Sequence, residues 1–235
     1  MQVSIDLSDV RSAGETLKGF GGVANPVKLP GLYARCAAIL NQAVGRQLTS
    51  VECCLLIDEA AVTIVAGNIR RSAGIRQGDS ADTAFAAAKD NLWQQDGAGN
   101  WRIDPDRDAL RMANHTIVFH HQPTHQQCVD AVRKQFYSGE GAIQYAPEAI
   151  ARANSDLLTT PELKQDFLAA YQAGHASQWL QERDPQMAAT EVAHRLGRYG
   201  LNPCGEIIGS DFHCNLSEVH LNQLDPDNLR EQEEA

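Results

Sequence analysis

The sequence predicts an α/β fold with largely parallel strands in one domain. Three observations lead there: short β-branched runs alternate with stretches of helical period, nothing repeats at a fixed interval, and no Pro- or Ser-rich linker divides the 235 residues. At 43% hydrophobic and 21% charged residues, the chain has the composition of a soluble globular domain with one sizeable core. Its formal net charge of -10 repels a phosphate backbone, and no run of Lys and Arg offsets it, which argues against direct nucleic-acid binding. The longest apolar stretch, 53–66, is interrupted by Asp58 and Glu59, so no membrane span is expected. No signal peptide is legible at residue 1, and the expected location is the cytoplasm.

In chain order, residues 3–7 alternate apolar and polar as a short strand does, and Gly19, Gly21 and Gly22 around Phe20 make a flexible turn. Leu29, Leu32, Tyr33, Cys36, Leu40, Ala43 and Val44 share one helical face, on a helix that ends near Gly45. Thr49 followed by Glu52 fits a capping box that opens a second helix. The run 60–66 suits a strand by its β-branched residues and a buried helix end by its unbroken apolar character; helix is the expectation. Residues 67–72 read as a polar loop, 73–76 as a strand, and 90–108 as an excursion over the surface. A strand at 116–119 precedes a helix over 123–137, with Cys128, Val129, Val132 and Phe136 on its inner side. A short apolar stretch at Ala142 and Ile143 then leads into another helix through Ala149 and Ala153.

The six cysteines, at 36, 53, 54, 128, 204 and 214, show neither the density of a disulfide scaffold nor a CxxC pair of zinc type. In a reducing compartment, a cysteine in special local chemistry is more often catalytic. Cys204 has such a setting in the string Asn202-Pro203-Cys204-Gly205-Glu206-Ile207, with Cys214 ten residues on. Pro203 fixes a backbone angle before the sulfur and Gly205 frees those after it, so the thiol can stand at the tip of a tight loop. A thiol, a carboxylate, an amide and a second thiol make a set able to do acid-base and redox work. Taken alone, the same residues also suit an ordinary turn. Cys36, Cys53 and Cys54 sit on apolar helix faces, where a small buried residue is the simpler reading. The spacing of His115, His120, His121, His125 and His213 fits no zinc pattern, so no protein-bound metal is expected.

Read whole, Asn-Pro-Cys-Gly-Glu-Ile followed by Cys214-Asn215-Leu216 resembles the finger loop of ribonucleotide reductases, the adenosylcobalamin-dependent class II enzymes above all. Gly19–Gly22 with Val23 and Ala24 resembles the family's first specificity loop. Ala66–Ala73, reading Ala-Gly-Asn-Ile-Arg-Arg-Ser-Ala, resembles its second, with Gly67, Asn68, Arg70, Arg71 and Ser72 in place. Residues 110–121 and 133–144 resemble the monomeric, triphosphate-reducing branch. The matches run in order over nearly the whole chain.

The resemblance implies a ten-stranded α/β barrel with the finger loop threaded through it, of which residues 1–235 would be one partial catalytic domain. It implies adenosylcobalamin as cofactor, a ribonucleoside triphosphate as substrate, a deoxynucleotide as effector and thioredoxin or a similar dithiol as reductant. By the same resemblance Cys204 bears a thiyl radical and takes the 3′-hydrogen of the ribose, Glu206 removes the 3′-hydroxyl proton, Asn202 holds a substrate hydroxyl, and Cys214 is one half of the redox pair. The partner of Cys214 matches nothing before residue 19. Arg70 and Arg71, as bare residues, would be solvated charges on a turn; by resemblance, with Gly21 and Gly22, they belong to loops that report the bound effector. Family members are considerably longer, so the chain is expected to be a partial sequence. Two other readings stand: a class I large subunit, which the Asn-Ile-Arg-Arg-Ser-Ala loop disfavours, and a truncated, inactive fragment that only assembles with other chains.

Overall fold

The computed structural model describes residues 4–16, 18, 23–63, 65–66, 69–70, 74–139, 141–202, 224–225 and 227–234, with backbone alone at 65–66, 69–70 and 232–234. The chain begins without the expected strand: residues 4–7 are irregular and mostly exposed. Among the described residues, alternation there has no partner to pair with, and a lone strand leaves its backbone groups to water. Further on, Thr16 bridges Val23 in antiparallel sense, and Gly14 and Ala24 join the same closure through Gly14 N–H to Ala24 O at 3.0 Å.

A 3-10 turn at Pro26–Lys28 runs straight into α1 (Leu29–Gln42). Its buried stripe is narrower than the sequence period suggests. Ile39 and Ala43 are buried, whereas Leu40 is 50% and Val44 79% exposed. Then α2 (Ser50–Thr63) opens on the expected capping box, Thr49 Oγ1 accepting from Glu52 N–H at 3.2 Å while Thr49 N–H donates to Glu52 Oε2 at 2.8 Å. Helix was expected as far as residue 66, but Val65–Ala66 is a strand, β1. It pairs antiparallel with β2 (Ile69–Arg70), so part of the expected polar loop is a hairpin arm. Val65 and Ile69 are β-branched, which favours extended backbone once a partner arm is within reach.

The central element is a parallel sheet of β3 (Ile75–Asp79), β6 (Asn114–Phe119) and β7 (Ala142–Tyr145), in the order β3-β6-β7. Parallel neighbours need long crossovers. The first contains α3 (Thr83–Ala86), the hairpin β4 (Trp93–Gln95) with β5 (Trp101–Ile103), and a 3-10 turn at Asp108–Met112; the second is α4 (His125–Ser138). The α/β prediction therefore holds, with β3 beginning two residues later and β6 two residues earlier than read.

Side chains of α1, α2, α3 and the 108–112 turn fill one core around Ile39, Cys54, Leu55, Phe85 and Leu110. Gly78 lets α3 approach: a Cβ there would lie 2.2 Å from Cδ1 of Phe85. A second core forms among α5 (Ala146–Ala153), α6 (Pro161–Gln172), α7 (Ala176–Arg183) and α8 (Ala189–Leu196), around Ile150, Phe167, Leu180 and Val192. Asn154 is fully buried between α5 and α8, donating to Ile150 O at 2.8 Å and accepting from Arg195 Nη1 at 3.1 Å. After residues outside the described set, α9 (Leu229–Glu234) ends the chain.

The expected inner face of α4 is only partly covered among the described residues, with Cys128 and Val129 half-buried. The helix has its capping box at Thr124 and Gln127, yet it buries no residue fully, and Val132 is 56% and Phe136 81% exposed. Period tells which residues share a face; it does not supply the surface that covers them.

Candidate active site

Each face of the β3-β6-β7 sheet has a different character, set by alternation along the strands. Arg76, Gly78, His115, Ile117 and Phe119 point to the side that carries α2 and α3. There Arg76 donates to the fully buried Asp58 of α2 at 2.5 Å, and the rings of Phe85 and His115 stack at 5.0 Å. Burial, with the positive charges of Lys89 and Arg76 nearby, holds the His115 imidazole neutral, its pKa pushed down to about 3. Cys54 belongs to the same side, and burial next to Asp58 pushes its thiol up to about 11, which suits an inert core cysteine. Cys36 is half-buried, and burial likewise raises its thiol. Cys53, in contrast, is exposed, so the expectation of burial fails for it. Nothing in the sequence marks Asp58 and Arg76 as a buried pair.

On the opposite face stand Gln77, Thr116, Val118 and Gln144. Gln77 aligns with Thr116, and Gln144 with Val118, so the two glutamines are neighbours across β6. They join through Gln77 Nε2 to Gln144 Oε1 and together hold the segment that enters residues 202–214. Gln144 Nε2 donates to Tyr199 O at 2.7 Å, and Leu201 N–H donates to Gln77 Oε1 at 3.0 Å. The His120 ring, just past β6, meets the Tyr199 ring edge-on at 5.1 Å. The stem of the candidate loop is thus fastened to the face of the sheet opposite Arg76 and His115.

Of the residues expected to do chemistry, Asn202 is described and exposed, one residue past this fastening. Cys204, Glu206 and Cys214 lie outside the described residues, as do Gly21, Gly22, Gly67, Asn68, Arg71, Ser72 and His213. Arg70 is described by its backbone alone, paired with Val65. The two loops nevertheless share an anchor: the β1–β2 hairpin feeds into β3, whose Gln77 holds Leu201. Gln77, Gln144 and Tyr199 escaped the sequence reading.

Known proteins supply the wider context. A 35% identity over 222 residues, 92% of this chain and 23% of the relative, links it to the adenosylcobalamin-dependent ribonucleoside-triphosphate reductase of Lactobacillus helveticus. The reductase of the same name from Lactobacillus gasseri is 36% identical over 220 residues, again 92% of this chain. That of Levilactobacillus brevis is 40% identical over 111 residues, 46% of this chain. This chain is related to a segment of the adenosylcobalamin-dependent ribonucleoside-triphosphate reductases. It spans 23% of the length of each of three relatives that it matches over 92% of its own. No family profile matches the chain, and no solved structure matches it.

Gln77 and Gln144 turn their amides on each other and on the stem. Among the described residues no three His, Cys, Asp or Glu stand close enough to hold a metal ion. Among them, too, no helix is long and apolar enough to cross a membrane.

Proposed function

We propose that this chain is part of the catalytic barrel of an adenosylcobalamin-dependent reductase that converts ribonucleoside triphosphates to 2′-deoxyribonucleoside triphosphates for DNA synthesis. The observation that carries the proposal is the alignment of 92% of the chain with reductases at 35% identity, the Asn-Pro-Cys-Gly-Glu loop included in the sequence. The geometry supports it: a parallel sheet with α2 and α3 on one face and the loop stem fastened to the other is how one wall of a ten-stranded barrel threaded by a finger loop would be built.

In this reading Cys204 carries the radical and takes the 3′-hydrogen of the bound ribose, an abstraction that needs the reacting atoms held in near-attack contact. Glu206 accepts the 3′-hydroxyl proton and Asn202 holds a substrate hydroxyl. The 2′-hydroxyl leaves as water. Cys214 and a second thiol supply two electrons and two protons and close to a disulfide, which thioredoxin or a similar dithiol reopens. The loops containing Gly21 and Gly22, and Gly67, Asn68, Arg70, Arg71 and Ser72, report the deoxynucleotide effector.

A chimaera tests the proposal: this chain replaces the aligned segment of the L. helveticus reductase, and deoxynucleotide formation is measured with adenosylcobalamin and a dithiol. Activity is expected, with loss of at least about a thousandfold on Cys204→Ser. Activity that survives the Ser substitution would refute the assignment of the radical to that sulfur.

A further inference from the structure

We infer that the cleft between the C-terminal turn of α4 and the turn after α3 binds a phosphorylated small molecule with a planar ring, a nucleotide by chemical class. It lies on the helix-covered side of the sheet, away from the stem at 199–202, and stands independently of the reductase reading. Its volume is about 620 Å³, within the range of about 300–1,000 Å³ typical of small-molecule sites.

The lining charge is the reverse of the chain's. Lys89, Arg111 and Lys134 face a single carboxylate, Asp90, in a protein of formal net charge -10. Lys89 is 7% exposed, and its ammonium is positioned by a 2.6 Å hydrogen bond to Ala113 O. Lys134 bridges to Asp90 at 2.7 Å and Arg111 to Asp108 at 2.8 Å. The guanidinium, donating through Nε, has four further N–H groups with which to take a phosphate oxygen.

Trp93, from β4, is 57% exposed, and Tyr137, from α4, is 81% exposed, so the cleft has a large ring from each of two elements. Exposed aromatic faces beside a cationic lining suit a planar ring whose phosphates lie against the cations; stacking on such a face contributes about 1–3 kcal/mol per base.

A separate observation lies at the inner end. His115 is 5% exposed and its Nε2 has no hydrogen-bond partner. It lines a small chamber that shares Lys89, Asp90, Lys134 and Ser138 with the cleft. A buried polar atom without a partner costs about 1–3 kcal/mol, and a polar ligand atom, or a water carried in with it, would relieve that.

Calorimetric titration of the purified 235-residue chain with ATP, inorganic triphosphate and adenosine tests the inference, with circular dichroism to confirm that each variant folds. ATP is expected to bind with a Kd below about 1 mM. The double variant Arg111→Ala, Lys134→Ala should weaken ATP and triphosphate alike by at least about tenfold, whereas Trp93→Ala should weaken ATP by about tenfold and leave triphosphate unchanged. Absence of ATP binding at about 10 mM would overturn the inference, as would an ATP affinity that neither variant moves.

Discussion

Burial keeps the imidazole of His115 from taking a proton where an exposed histidine would. Its folded pKa is pushed down to about 3, against 6.5 when free, so protons prefer the unfolded chain. Above the unfolded value this group therefore leaves stability untouched, and as pH falls from about 6.5 towards 3 it withdraws stability at up to about 1.4 kcal/mol per pH unit. Urea unfolding at pH 7.5 and 5.5 should show a loss of about 1 kcal/mol from this source. In His115→Gln that part of the slope should vanish, whatever the substitution costs at pH 7.5. An unchanged slope would mean that His115 is protonated at the same pH folded as unfolded. None of this was visible in the sequence, where five histidines at irregular spacing yielded only the negative result about zinc.

Among the elements, what is local was legible. The capping box at Thr49–Glu52 spans three residues, and α2 starts where that motif puts it; the box at Thr124–Gln127 was not read, and α4 starts two residues after the expected 123. Failures have a common cause: a pattern predicts a face, and the face needs a partner. Residues 4–7 have no neighbouring strand, and the apolar stripe of α4 has no covering element among the described residues. A pair of substitutions separates the two situations. Gly78→Ala should cost about 1–3 kcal/mol, because the methyl would stand 2.2 Å from the Phe85 ring that stacks on His115. Phe136→Ser should stay within about 0.5 kcal/mol, since that ring is 81% exposed. Thermal unfolding of both variants gives the comparison; a large loss in Phe136→Ser would mean that the α4 face is packed in solution.

Across the whole molecule, sequence and structure meet at different ranges. The order of the main strands and helices was legible as far as α5, because each of those elements announces itself within a few residues, whereas the hairpin β4–β5 and the helices α6, α7 and α8 were not read. The fastening of Tyr199 and Leu201 was not, since Gln77 and Leu201 are joined across 124 positions and no short motif records such a pairing. The loop chemistry was readable as a string of residues, and its stem only as coordinates. The fastening has a measurable signature: the Leu201 amide should exchange with deuterium more slowly than the exposed amide of Asn202, and Gln77→Leu should erase the difference. Equal exchange of the two in the parent chain would count against the fastening.

The amide latch also sets a time structure. The core around Leu110 and the core around Phe167 are filled by different helices, and the return of the chain to the sheet at Tyr199 depends on hydrogen bonds whose net contribution is about 0.5–1.5 kcal/mol each. Two or three such bonds, taken alone, would leave an unlatched population on the order of one molecule in a hundred. Tyr199 also packs against the core around Phe167 and meets the His120 ring, so lifting the stem at 199–202 requires this packing to be given up as well.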